Sequence, residues 1–137
     1  MSIKYLEHIG IAVENLEQAV STYETLLDTP CYKREVVVAQ KVETAFLQTG
    51  ESKLELLGAT EEGSVIAKYI QEKGEGMHHV AFEVDDIRAE MTRLQKNGFE
   101  LISDTPSRGA DNKLVAFVHP KDNNGVLIEL CETISDE

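Results

Sequence analysis

The chain has 137 residues, of which 42% are hydrophobic and 28% charged, and its formal net charge is −12. That length suits a single domain able to bury roughly two-thirds of its unfolded surface, and a charge of that sign would repel phosphate backbones, which sets nucleic acid aside as a partner. No apolar run approaches the roughly 18 residues needed to span a bilayer, and the N-terminus lacks the basic and apolar regions of a signal peptide, so no membrane partner and a cytoplasmic location are expected. Cys31 and Cys131 show neither CxxC spacing nor a disulfide-rich setting and read as free thiols.

Residues 5–13, YLEHIGIAV, alternate as a strand, with Ile9, Ile11 and Val13 on one side and His8, Gly10 and Ala12 on the other. Asn15 is placed to cap a helix, and LEQAVSTYETLL sets Leu16, Ala19, Val20, Tyr23 and Leu27 on one helical stripe that stops before Pro30. Strands are expected near 31–38 and 42–48, then a turn at Gly50-Glu51-Ser52 and a fourth strand in KLELL. A connecting helix, Ser64 to Lys73, carries Val65, Ile66, Tyr69 and Ile70 at helical spacing and ends in Gly74-Glu75-Gly76. The plan then recurs. Val80, Phe82 and Val84 face a helix that Asp86 caps and Asn97-Gly98 ends. A strand near 99–103, a polar loop SRGADN at 107–112, a strand LVAFVH, a turn PKDNNG and a final strand VLIEL follow.

With His79 set under His8, HIGIAVENL runs against HVAFEVDDI at an offset of 71 (79 − 8), and Ala45-Phe46 meets Ala116-Phe117 at the same offset. Glu55 in KLELL and Glu129 in VLIEL are 74 apart (129 − 55), so the second half carries three extra residues before its last strand. This is a duplicated supersecondary unit. The expected fold is α+β, two tandem βαβββ modules within a single domain, 1–137: module one 5–58, connecting helix 59–76, module two 77–133.

Each module offers one histidine on its first strand and one glutamate inside an apolar fourth strand. A carboxylate in such a run is costly to bury unless it is paired or bound to a cation. If the modules curl toward each other, His8, Glu55, His79 and Glu129 converge. Two imidazoles and two carboxylates suit one divalent first-row metal, with Zn, Co, Ni, Mn and Fe all open, and six-coordinate geometry would leave two positions for water or substrate. His78 points to the other face by alternation and reads as structural. His119, before Pro120, reads as a turn or rim residue.

The motifs HIGIAV with NLEQAVSTYETLL, VETAFLQTGESKLELL, SVIAKYI leading to GEGMHHVAFEVDDI, and LVAFVHPKDNNGVLIEL cover nearly the whole chain. In these it resembles the vicinal oxygen chelate, or glyoxalase, superfamily, and within it the methylmalonyl-CoA epimerases. The resemblance implies a curved mixed sheet, the metal ligands His8, Glu55, His79 and Glu129, an acyl-CoA substrate, a homodimer, and epimerisation at C2 through a metal-stabilised enolate. It implies Glu129 as one proton-transfer group. The family's other glutamate aligns with Thr44, so Glu43, one residue away, stands as the second catalytic candidate beside its reading as a surface carboxylate. Arg108, Lys113 and Lys121 are candidate cations at the site mouth, each also readable as solvated surface charge. Two other functions remain open on the same scaffold: glyoxalase I activity, and a non-catalytic protein that sequesters small molecules.

Overall fold

The structure, a computed structural model, describes residues 2–135. Its first strand, β1 (Ile3–Ala12), runs through the point where the chain divides into two compact units. One unit is Ile9–His78. The other joins the chain up to His8 with the chain from His79 onward, so His8 belongs with the second copy of the repeat.

In the Ile9–His78 unit, α1 (Leu16–Leu27) starts where the Asn15 side chain accepts a hydrogen bond from Gln18 N at 3.0 Å, and stops at Asp28, whose left-handed φ of 51° turns the chain out of the helix. Strands β2 (Cys31–Val37), β3 (Val42–Thr49) and β4 (Ser52–Ala59) pair antiparallel in that order, and the end of β1 lies beside β4, where Val13 N donates to Leu57 O at 2.9 Å. The period-two pattern decides which helix covers which face. Ala45, Leu47, Leu56 and Val13 bury Leu16 and Val20 of α1. Ala12, Val42 and Leu57 turn the other way and bury Ile66 of α2 (Val65–Lys73), which Ser64 caps through Ala67 N.

In the other unit, which β5 (Gly76–Val84) enters at His79, the strand leads into α3 (Ile87–Lys96), capped by Asp86, whose carboxylate accepts from Ala89 N at 3.1 Å. Strands β6 (Ser107–Arg108), β7 (Lys113–Val118) and β8 (Ile128–Thr133) complete it. β8 pairs parallel with β5 and antiparallel with β7, which makes the sheet mixed. Val84, Ala116, Val118 and Leu130 pack on Ile87 and Met91 of α3. Each Val, Leu, Ile or Met among these contributes about 1.5–3 kcal/mol relative to leaving it in water.

The duplication survives in the register. Asn15 and Asp86 cap equivalent helices. Phe46 faces Glu55 across β3 and β4, and Phe117 faces Glu129 across β7 and β8. The three extra residues fall in the connection after β7, where a 3-10 turn at Pro120–Asp122 takes them up.

Two expectations need correcting. The strand near 99–103 is a single bridge, Leu101 to Val118, and the loop at 107–112 begins with the two residues of β6, paired to Val115 and Leu114. The chain bends away at Ser103, where the side chain bonds Thr105 O at 2.8 Å, and Pro106 has no N–H for a ladder. Pairing resumes only beyond the proline.

Candidate metal centre

On β5, β7 and β8 the residues that face away from α3 form three bands. His79, Glu129 and Phe117 make the first, with the Phe117 ring edge-on to His79 at 5.9 Å between centroids. Ala81, Val115 and Cys131 make an apolar second band, backed by Phe117. Glu83, Lys113 and Thr133 make a hydrogen-bonded third. From β1, the Glu7 side chain reaches Lys113 and His8 reaches His79 and Glu129.

His8, His79 and Glu129 are 5–6% exposed. His8 Nε2 and His79 Nε2 lie 3.0 Å apart, and Glu129 Oε1 is 3.1 Å from His79 Nε2 and 3.5 Å from His8 Nε2. Two neutral imidazole nitrogens this close cannot both carry a proton. Ligand atoms ~2.1 Å from a shared ion lie ~3.0 Å apart at right angles and ~3.4 Å apart at tetrahedral angles. The three spacings therefore fit one cation, and the donor set of two imidazoles and a carboxylate suits a divalent first-row metal. Burial pushes the Glu129 carboxyl up, but the hydrogen bonds and positive charge that the His79 and His8 rings bring when protonated outweigh it and hold the group well below the usual carboxylate range, and a cation held between them would act in the same direction. Cys131, two residues on, donates to Phe82 O at 3.5 Å, and burial raises its thiol far above the usual range, so it stays neutral.

The face also holds residues that sequence reasoning missed or placed elsewhere. His8 Nδ1 donates to Glu7 Oε1 at 2.8 Å. Lys113, read as a cation at the site mouth, is instead only 7% exposed. Its ammonium donates to Glu83 Oε1 at 2.8 Å and Thr133 Oγ1 at 2.7 Å, and lies 3.8 Å from Glu7 Oε2. A lysine opening an otherwise apolar strand was the one available signal. Lys121 pairs with Glu100 on the surface, and exposed Arg108 donates to Asn112 at 3.1 Å.

The other candidates lie in the Ile9–His78 unit. Glu55 is 6% exposed on β4, across from Phe46. Thr44 is buried and its hydroxyl donates to Glu35 O at 3.3 Å. Glu43 lies on the α1 side of β3, 3.2 Å from Arg34 Nε, and the same guanidinium holds Glu17 of α1. The His78 ring packs edge-on against Tyr69 at 4.8 Å. In the second unit, His119 Nδ1 accepts from Lys121 N at 3.1 Å and caps the 3-10 turn.

A cation-ready cluster on a duplicated βαβββ scaffold defines a class. The chain belongs to the glyoxalase/bleomycin resistance protein/dioxygenase superfamily, whose family model matches residues 7–117. Within it, the chain is 38% identical to an ethylmalonyl-CoA/methylmalonyl-CoA epimerase of Cereibacter sphaeroides, over 91% of this chain and 95% of that protein. It is 39% identical to the uncharacterized protein YqjC of Bacillus subtilis, over 96% and 94%. Among solved structures, a variant of the Streptomyces coelicolor methylmalonyl-CoA epimerase in complex with 2-nitronate-propionyl-CoA superposes with a TM-score of 0.93 at 34% identity, covering 99% of both chains.

Proposed function

We propose that the chain is an isomerase that epimerises methylmalonyl-CoA at C2 by removing the C2 proton and returning it on the opposite face. The buried His8, His79 and Glu129 cluster carries this reading, and the epimerase relatives support an acyl-CoA substrate. The C2 proton lies between a thioester and a carboxylate, so its loss gives a planar enolate with charge spread over oxygens. The nitronate of the ligand held by the Streptomyces coelicolor relative is likewise a planar, delocalised oxyanion.

His8, His79 and Glu129, with Glu55 as fourth ligand, would hold one divalent ion, which supplies Lewis-acid stabilisation of the developing oxyanion. Glu129 is the proton-transfer group on one face. Positive charge facing it favours its ionised form, hence a group available as a base. Removing a carbon-bound proton leaves charge on the substrate that must be met, which is why the acid–base and cation roles belong together. Inversion needs a second group on the other face. Glu43 is one choice, but Arg34 already occupies its carboxylate. Glu55, at the repeat position that mirrors Glu129, is the stronger one.

Incubation with methylmalonyl-CoA in deuterium oxide tests this. Deuterium should enter C2, stop on chelation and resume with added Co or Mn. Turnover of the methylglyoxal–glutathione hemithioacetal alone would overturn the assignment in favour of a glyoxalase.

A further inference from the structure

We infer that Glu7 is a positioning residue that fixes the tautomer of His8, and that Lys113 positions Glu7. The inference deepens the metal reading above and rests on it for its consequence, though not for its geometry. His8 Nδ1 donates to Glu7 Oε1 at 2.8 Å. A neutral ring with its proton there presents a bare lone pair at Nε2, toward His79 Nε2 at 3.0 Å and Glu129 Oε1 at 3.5 Å. The opposite tautomer would set the Nδ1 lone pair against a carboxylate oxygen, two acceptors in contact at a site where Glu7 is 2% and His8 5% exposed. That is costly in the absence of water. A ligating histidine held by a carboxylate on its far nitrogen is the usual way such a ring is oriented and made a better donor.

The second oxygen of Glu7 faces Lys113 Nζ at 3.8 Å. Lys113 is itself fixed by Glu83 and Thr133. Glu83 in turn is tied to the β8 backbone, accepting from Thr133 N at 3.1 Å and Thr133 Oγ1 at 2.7 Å. Lys113 therefore bears on His8 through Glu7. The arrangement is not a by-product of the duplication: position 78, equivalent to Glu7 at the offset of 71 (78 − 7), is a histidine packed on Tyr69.

The test uses the metal-free full chain carrying 15N-labelled histidine, at about pH 8, above the ordinary imidazole range. The wild-type His8 ring should show a protonated Nδ1 and a pyridine-like Nε2. Glu7→Leu should lose that pattern and, by chelator competition, bind Mn or Zn roughly 10- to 100-fold more weakly. Glu7→Gln, whose amide oxygen can accept the same proton, should keep the pattern and remain within a few-fold of wild type. Lys113→Met should weaken binding to a level between these two. A wild-type proton on Nε2, a folded Glu7→Leu protein with wild-type affinity, or a Glu7→Gln variant as weak as Glu7→Leu would overturn the assignment to Glu7, and unaltered affinity in Lys113→Met would overturn that to Lys113. The wild-type spectrum needs no variant to fold. If wild type shows the expected tautomer but takes up no metal, the metal reading falls while the Glu7 assignment stands.

Discussion

At the scale of single residues, His8, His79 and Glu129 bring three possible ligand atoms together where water is nearly excluded, and Phe117 closes one side of the His79 ring. With both Nε2 atoms deprotonated these are three acceptors facing one another, an arrangement that a cation favours. The two glutamates proposed for proton transfer differ from Glu43 in this respect: Glu55 and Glu129 are each 6% exposed, whereas Glu43 is about a third exposed and bound to Arg34. Removing a proton-transfer group typically costs roughly 10²- to 10⁴-fold. Glu129→Gln and Glu55→Gln should therefore each cut the initial rate of deuterium uptake at C2 by roughly that factor, and Glu43→Gln by less than about tenfold. A Glu43→Gln protein as inactive as Glu129→Gln would return Glu43 to the catalytic role.

Among the elements, the most informative is the segment from Phe99 to Lys113. A hydrophobicity pattern placed a strand at its start and a loop at its end. Pairing to β7 reverses part of this: one bridge at Leu101, an excursion through Ser103 to Pro106, and a short strand at Ser107–Arg108. Gly109 then closes the turn, donating through its N–H to Lys113 O at 2.9 Å. A Cβ there would lie 2.9 Å from Val115 Cγ1 and 3.2 Å from Cγ2. Valine is stiff about χ1 and cannot swing aside in a packed strand. Gly109→Ala is therefore expected to destabilise by about 1–3 kcal/mol, as overpacking usually does, and urea unfolding will read it. A variant as stable as wild type would mean that the turn relaxes freely.

Over the whole molecule, stability depends on charges that the fold buries as well as on its apolar clusters. Glu7, Glu83 and Lys113 join β1, β5 and β7 and reach β8 through Thr133. Burial alone would lower the Lys113 pKa, but the hydrogen bond from its ammonium to Glu83 and the charges of Glu7 and Glu83 reverse this and raise it above its ordinary 10.5. A group whose folded pKa is raised contributes stability that is fully present below its unfolded pKa and is lost as pH rises through the folded one. The stability advantage of wild type over Lys113→Met should thus be constant from about pH 7 to 10 and shrink above about 10.5. Unfolding measured across that range checks it, and a gap that does not narrow would show that the ammonium is not what the network needs.

The sequence by itself determined the features that repeat or act locally. The offset of 71 announced two copies, period-two alternation sorted residues 8–13 of the first strand and those of β5 between faces, and Asn15, Ser64 and Asp86 announced their helices. His8, His79 and Glu129 stood out because equivalent positions carried the same chemistry. Only the tertiary structure decided that Glu7 serves His8, that Lys113 is buried between two carboxylates, that Glu43 is bound to Arg34, and where β7 finds its partner after Pro106. Each of these depends on which strands lie side by side and in what register. That is fixed by contacts between residues far apart in the chain, and no local pattern encodes it.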